Sequence, residues 1–155
     1  MSMKQRITDD LKAAMKSGDK ARLGVLRMVK SRMMESEVDL RAKKGRDYEL
    51  NDEEATGVLA SYAKQRRDSI EAYEKAGRED LASAERLELG IIQEYLPERM
   101  PEEEVRRIVQ EAIASTGAMS AKDMGSVMKI VMPRLKGAAD GKLVSRIASE
   151  LLAGK

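Results

Sequence analysis

Residues 96–101 read LPERMP, and their two prolines divide the chain into parts with different helical patterns. Pro97 is unsuited to a helix interior, whereas Pro101 suits the first turn of a new helix. Apolar residues recur at helical spacing over four longer segments before this stretch and over shorter ones after it, with no useful strand-like alternation. The sequence predicts an all-α protein: an N-terminal four-helix domain over 1–97 and a small tail domain of three to four helices over 98–155.

Local signals predict where helices of the N-terminal part begin and end. Apolar spacing predicts a helix from about residue 20 to about residue 38. Residues 39–51, DLRAKKGRDYELN, lose this periodicity and gather charge around Gly45, which predicts an exposed loop. Asn51 and Glu54 then form a capping-box pattern, typical of a helix start.

The chain contains no cysteine and no histidine. The first absence excludes disulfides and a cysteine nucleophile, and the second removes the commonest general base and metal ligand. No apolar run approaches the roughly 18 residues of a membrane span, and the opening MSMKQRITDD lacks a signal-peptide core. We therefore expect a cytoplasmic protein with no metal, no cofactor and no membrane contact.

Positive charge gathers in the tail, where residues 118–155 hold seven cations against three anions. Lys142 and Arg146 are four residues apart, so they share a helix face, and it differs from the apolar face. The preceding residues add Lys129, Arg134 and Lys136. A local basic patch can attract a polyanion although the net charge of the chain is only +2. A merely solvated helix face would show the same pattern, so both interpretations stay open.

Residues 137–142, GAADGK, resemble a phosphate-binding loop without meeting its requirements. Such a loop has four residues between its glycines and a Ser or Thr after its lysine. Here three residues separate Gly137 from Gly141, and Leu143 follows Lys142. A tight turn between two helices explains the glycines better, and it would also let a backbone approach a ligand closely.

Met124, Met128 and Met132 recur at every fourth position of the tail. Ser120 and Asp123 precede them as a second capping-box pattern. A methionine stripe is usually core filler, above all in a chain with no Phe and no Trp. The alternative is an exposed apolar groove for a protein partner.

Three stretches of the chain resemble one known family: DLKAAMKSGDKARLGVLRMVKSRM, KQRRDSIEAYEKAGREDLASAERLELGIIQEYLPERM and KDMGSVMKIVMPRLKGAADGKLVSRIASELL. Together they look like the YqeY family, from about residue 11 to residue 152. The C-terminal third is also similar to the tail domain of GatB, the tRNA-handling subunit of glutamine-dependent aminoacyl-tRNA amidotransferases. The resemblance implies a four-helix N-terminal domain and a small helical tail that contacts the body of a tRNA.

The contact surface for tRNA that this resemblance implies consists of basic residues and glycines of the tail, to which the local cluster adds Arg134. These residues are Lys122, Gly125, Lys129, Arg134, Lys136, Gly137, Gly141, Lys142 and Arg146. Ala138 stands where the resemblance implies an arginine. If that arginine contacts phosphate, this chain binds more weakly than its relatives or relies on Arg134 instead.

The family label implies a carbon–nitrogen ligase activity with glutamine as the amide donor. Such a reaction needs a glutaminase nucleophile, an ATP site and a path for ammonia. The chain has no cysteine, no credible nucleotide loop and no serine with an assignable base, so we expect no catalytic residues. The leading hypothesis is an accessory module that binds tRNA, alone or beside an amidotransferase or another protein partner. The alternative is a protein–protein adaptor that uses Met-rich helical faces.

Overall fold

A computed structural model describes residues 1–135 and 138–154 of the chain. Within these residues the chain forms seven α-helices and one short 3-10 helix, and no strand. The helices are α1 (Met3–Ser17), α2 (Lys20–Lys44), α3 (Asp52–Lys75), α4 (Glu79–Gln93), α5 (Glu102–Thr116), the 3-10 helix (Ala121–Asp123), α6 (Met124–Leu135) and α7 (Gly141–Ala153). The predicted all-α class is confirmed. None of the described helices combines the length and the apolar content that crossing a membrane requires.

The chain divides into two compact units, Met1–Leu96 and Pro97–Lys155. We call them the N-terminal unit and the tail unit. The first contains α1 to α4, and the second contains α5, the 3-10 helix, α6 and α7. Each unit has its own hydrophobic core.

The N-terminal unit begins with a helical hairpin formed by α1 and α2. Gly18 ends α1 with a left-handed backbone (φ 73°), and its N–H donates to the carbonyl oxygen of Ala14. Asp19 caps α2, because its carboxylate accepts a hydrogen bond from the Arg22 N–H at 3.1 Å. The hairpin packs its apolar side on α3 and α4 through a core that includes Ile7, Val25, Leu26, Val29, Met33, Leu59, Tyr62 and Ile92.

Helix α2 continues to Lys44, so the prediction that residues 39–51 form a loop is wrong for residues 39–44. Glu37 lies just before the added turns, and its side chain is only 8% exposed. Its carboxylate accepts hydrogen bonds from Lys4 Nζ at 2.7 Å, Arg41 Nη2 at 3.0 Å and the Leu50 N–H at 3.1 Å. Two of these partners are distant in sequence, which is why local periodicity does not reveal the extra turns. These bonds lower the pKa of the Glu37 carboxyl, that from Lys4 most.

The tail unit packs α5, α6 and α7 around one core. The buried residues of this core are Val105, Ile108, Val109, Ala112, Ile113, Ala118, Val127, Val131, Leu135, Val144, Ile147, Ala148 and Leu152. Ser120 and Asp123 form the predicted capping box, now at the 3-10 helix that leads into α6. Asn51 and Glu54 form the other predicted capping box at the start of α3.

Pro133 lies inside α6, a position where a proline usually breaks or kinks a helix. The helix continues to Leu135, which is fully buried in the tail core. Proline at this position has no N–H to donate to the carbonyl of Lys129. Because Lys129 lies on the exposed side of α6, water can satisfy that carbonyl, so one missing hydrogen bond does not break the last turn.

Candidate nucleic-acid interface

The exposed face of α6 carries Gly125 and Lys129, which are four residues apart and therefore neighbours on the helix surface. Lys122 precedes them in the 3-10 helix and is also exposed. The opposite side of α6 is held in the core by Val127 and Val131. Among residues 1–135 and 138–154, no acidic side chain pairs with Lys122 or Lys129. Both ammonium groups therefore remain available to an anionic ligand.

The start of α7 presents Lys142, which is exposed and also has no acidic partner in the described part of the chain. Its backbone N–H donates to Asp140 Oδ1 at 3.0 Å, so Asp140 caps the helix. A carboxylate thus occupies the position where an anion would meet the free N–H groups of the helix terminus. The group that α7 offers to a phosphate is therefore the Lys142 side chain, rather than the helix terminus.

Arg146 shares the exposed face of α7 with Lys142, but its charge is already paired. Its guanidinium donates to Glu102 Oε1 at 3.0 Å and to Glu150 Oε1 at 3.1 Å. Glu102 in particular raises the pKa of Arg146, because its carboxylate stabilises the charged guanidinium. Arg106 lies 3.0 Å from Glu150 and 3.7 Å from Glu102, so two arginines and two carboxylates form one network. Arg146 mainly joins α7 to the start of α5.

Arg134 lies at a separate place on the tail unit. Its guanidinium is 3.9 Å from Glu111 Oε2 on α5, a long and weak ion pair. Glu102 and Glu111 are nine residues apart on α5, which corresponds to about half a rotation around the helix. The acidic partners of Arg146 and Arg134 therefore lie on opposite sides of α5. Within the described residues of the predicted cluster, Arg134 and Arg146 therefore pair with different sides of α5.

The two glycines of the predicted site that the structure describes have different surroundings. A methyl group added at Gly125 would meet nothing within 4 Å. One added at Gly141 would meet the Met132 methyl at 3.6 Å, an ordinary contact. Neither has a positive φ, and Gly141 is the first residue of α7 rather than part of a strained turn. Lys136 and Gly137, which complete the predicted site, lie outside the described residues.

Ala138, the position where an arginine is implied, is buried at 9% exposure. Its carbonyl oxygen accepts a hydrogen bond from the Met100 N–H at 2.9 Å, and its own N–H donates to the Leu135 carbonyl at 3.0 Å. The backbone here connects the end of α6 to the segment before α5. Ala138 therefore occupies a packed position. An arginine at the same position would have to direct its side chain outward to reach a ligand.

The predicted methionine stripe belongs to the core. Met124, Met128 and Met132 are partly buried and pack on the tail core. The more exposed methionines include Met15, Met28, Met34 and Met119. No group of three or more acidic side chains that could hold a metal ion occurs in the part of the chain that the structure describes.

The predicted basic cluster includes Arg146 without its ion pairs. One signal was available, because Glu150 follows Arg146 by four residues, a spacing that favours an ion pair on one helix. The other partner, Glu102, lies 44 residues earlier, and only the packing of α5 against α7 brings it close.

Comparison with known proteins places these features in a family. The Yqey-like protein family matches residues 4–152. A protein of Pyrenophora tritici-repentis named "Altered inheritance of mitochondria protein 41, mitochondrial" is 30% identical over 155 residues, covering 97% of this chain and 81% of the relative. Proteins of the same name from Vanderwaltozyma polyspora and Kluyveromyces lactis are 32% and 36% identical, covering 76% and 67% of this chain. The matches span only 64% and 55% of those two relatives' lengths.

The names of these relatives bear on location as well. All of them, including a further one from Eremothecium gossypii, are named as mitochondrial proteins. The expectation of a cytoplasmic protein is therefore wrong by this comparison, since the composition of a chain does not report the compartment in which it works. The family match covers almost the whole chain and both units. The chain belongs to the Yqey-like protein family.

Proposed function

We propose that the chain is a tRNA-binding module whose tail unit holds the phosphate backbone through Lys122, Lys129 and Lys142. One observation carries the proposal. Three of the five arginines of the tail unit, Arg106, Arg107 and Arg146, are engaged by nearby carboxylates, whereas these three lysines are exposed and have no acidic partner among the described residues. An unpaired surface cation can exchange its counterions for a phosphate at little cost in lost protein contacts.

The chemistry of the tail favours recognition of a backbone over recognition of bases. All four tyrosines, Tyr48, Tyr62, Tyr73 and Tyr95, precede residue 97, and the chain has no Phe and no Trp. The tail unit therefore has no aromatic ring on which a base could stack. Contacts from lysine ammonium groups to phosphates respond to the shape and charge of a folded RNA rather than to its sequence.

The choice of tRNA as the nucleic acid rests on the similarity of the C-terminal third to the GatB tail domain. The exposed lysines of the tail support contact with a polyanion. The resemblance to the GatB tail domain indicates that this polyanion is a tRNA. Catalysis is not part of the proposal. We place the chain in the role of a recognition module, acting alone or beside an amidotransferase that supplies the chemistry.

Binding of a labelled tRNA pool to the full chain tests the proposal, with two matched variants. Lys129→Gln/Lys142→Gln removes two unpaired charges and is expected to weaken binding by roughly tenfold at low salt. Arg106→Gln/Glu150→Gln removes an ion pair and leaves the net charge unchanged, so its affinity should stay close to that of the wild type. Equal binding by wild type and Lys129→Gln/Lys142→Gln would refute the role of the tail lysines.

The adaptor alternative keeps one supporting observation, on the N-terminal unit. Met34 and Val38 are 56% and 61% exposed on α2, where with Ser31, Glu35 and Asp39 they line a shallow depression of about 390 Å³. The tail methionines do not support this alternative, because they pack on their own core. Under the adaptor function, Met34→Gln/Val38→Gln would abolish capture of a protein partner while Lys129→Gln/Lys142→Gln left it unchanged.

A further inference from the structure

The strongest concentration of positive charge in the chain lies in the N-terminal unit, outside the site described above. Residues 11–34, which form most of the α1–α2 hairpin, contain seven cations and one acid, Asp19, a net charge of +6. The tail residues 118–155 carry seven cations and three acids, a net charge of +4. The hairpin therefore has more excess charge over a shorter stretch of chain.

Most of this charge is not neutralised by neighbouring acids. Arg22 forms an ion pair with Glu94 at 2.6 Å, and Arg32 lies 4.0 Å from Glu35. The other five cations have no acidic partner within residues 1–135 and 138–154. These five are Lys12, Lys16, Lys20, Arg27 and Lys30; all are exposed except Lys30, which is half-buried. We call them the hairpin cations.

The ion pair between Lys4 and Glu37 identifies the sides on which α1 and α2 meet, since it joins the two helices at 2.7 Å. Lys30 lies seven residues before Glu37, about two helical turns, so it is on the same, α1-facing side of α2. Met15 lies eleven residues after Lys4, about three turns, so it is on the α2-facing side of α1. Lys30 and Met15 therefore both border the groove between the two helices.

The exposed hairpin cations lie beside this groove. Lys12 is three residues from Met15, and Arg27 is three residues from Lys30, so each occupies the neighbouring strip of its own helix surface. Both are exposed. Lys16 and Lys20 lie on either side of the Gly18–Asp19 turn, at the end of the same hairpin. The five cations thus form one basic surface along the hairpin.

We propose that this hairpin surface is a second binding site for the phosphate backbone of RNA, separate from the tail lysines. The inference rests on the proposed function for the class of RNA, a tRNA. The site itself rests on the unpaired hairpin cations and on their position along one groove. It assigns a nucleic-acid contact to the N-terminal unit, where the resemblance of the C-terminal third to the GatB tail implies none.

RNA fits this surface better than a lipid bilayer does. A helix that lies in a membrane interface needs a continuous apolar face to bury in lipid. The apolar faces of α1 and α2 are already used in the core, where Ile7, Leu26 and Val29 are almost fully buried. The exposed apolar side chains of the hairpin are Met15, Met28, Met34 and Val38. Met34 and Val38 are neighbours four residues apart, which is too short a stretch for a continuous apolar face. A phosphate backbone requires only accessible cations, which the hairpin supplies on both helices.

The test compares two double variants of the full chain in a titration with labelled tRNA at several salt concentrations. Lys12→Gln/Arg27→Gln removes two hairpin cations. Lys43→Gln/Arg46→Gln removes two exposed cations that also have no acidic partner in the described residues but lie at and beyond the far end of α2. Both variants lower the net charge of the same unit by two, so a difference between them reports position rather than total charge. A second hairpin variant, Lys16→Gln/Lys20→Gln, covers the case in which the first does not fold.

We expect Lys12→Gln/Arg27→Gln to weaken tRNA binding about tenfold at low salt. The salt slope, which is the slope of the logarithm of affinity against the logarithm of salt concentration, should fall in magnitude by about two. The control should change the affinity by about twofold at most. If Lys12→Gln/Arg27→Gln and Lys43→Gln/Arg46→Gln change tRNA affinity equally and only Lys129→Gln/Lys142→Gln loses binding, the hairpin site is refuted. The proposed function of the tail lysines would then still hold. No binding of wild type at low salt would overturn both. Binding to anionic phospholipid vesicles in place of tRNA would overturn the assignment to RNA.

Discussion

Arg146 Nη2 lies 3.0 Å from Glu102 Oε1, so a residue of the last helix is bound to the first turn of α5 across 44 positions of sequence. Four residues away on the same helix face, Lys142 has no such partner within the described residues. The two cations have similar local surroundings in the sequence and different roles in the fold. The arginine stabilises packing within the tail unit, and the lysine remains available for a ligand.

This difference predicts opposite results for two neighbouring changes. Lys142→Gln should weaken tRNA binding and lower the salt slope by about one, because it removes one phosphate contact. Arg146→Gln/Glu150→Gln should leave binding near the wild-type value, because the pair that it removes is neutral as a whole. Fluorescence anisotropy with labelled tRNA measures both affinities. Stronger loss in the Arg146→Gln/Glu150→Gln variant would show that Arg146 itself contacts the phosphate.

Gly125 provides a test that separates stability from binding. An added methyl group meets nothing within 4 Å, and glycine inside a helix costs about 0.8–1.0 kcal/mol relative to alanine. Gly125→Ala should therefore stabilise the tail unit by up to that amount, as measured by urea unfolding. If a phosphate approaches the α6 backbone at this glycine, the same variant should bind tRNA more weakly. Gly90→Ala is the control, because Gly90 is also an open position inside a helix, α4, and lies outside both proposed contact surfaces. A destabilised Gly125→Ala would contradict the geometry of α6.

Glu37 is expected to control the stability of the N-terminal unit. Glu37→Gln should lower the free energy of unfolding by about 1–3 kcal/mol at neutral pH, since it weakens hydrogen bonds from two cations and from the Leu50 N–H. Asp39→Asn, an exposed position two residues later on α2, serves as the control and should change stability by less than about 0.5 kcal/mol. Urea unfolding followed by circular dichroism measures both values.

The same residue predicts a direction of pH dependence. The hydrogen bond from Lys4 lowers the pKa of Glu37 in the folded state below its ordinary value of 4.5. The unfolded chain therefore takes up the proton first as the pH falls, and the contribution of Glu37 to stability is lost through the folded pKa. The stability difference between wild type and Glu37→Gln should be constant near neutral pH and shrink below about pH 4.5. A difference that grows on acidification would contradict this assignment.

Sequence reasoning predicts the local features of this fold well. The capping boxes at Asn51 and Ser120 are signalled within four residues, and both form where the pattern indicates. The methionines of α6 pack in the core, as expected for a chain without Phe and Trp. Helical periodicity is sufficient to predict the all-α class, because each helix buries its own apolar stripe.

The features that the sequence does not reveal depend on contacts between distant residues. Helix α2 ends at Lys44 rather than near residue 38, and Glu37, just before the added turns, bonds to Lys4 and to the Leu50 N–H. Among the described residues of the predicted basic cluster, Arg146 and Arg134 meet carboxylates on opposite sides of α5. In both cases a charged residue finds its partner only through helix packing, which local spacing cannot report.

The salt dependence of tRNA binding by the wild-type chain tests the central claim most directly. If the unpaired lysines of the tail hold the phosphate backbone, the logarithm of affinity should fall linearly with the logarithm of salt concentration, with a slope of at least about 2 in magnitude. Lys129→Gln/Lys142→Gln should reduce that slope by about two. An affinity that does not change with salt, or a slope that is the same in both proteins, would contradict a backbone contact at these lysines.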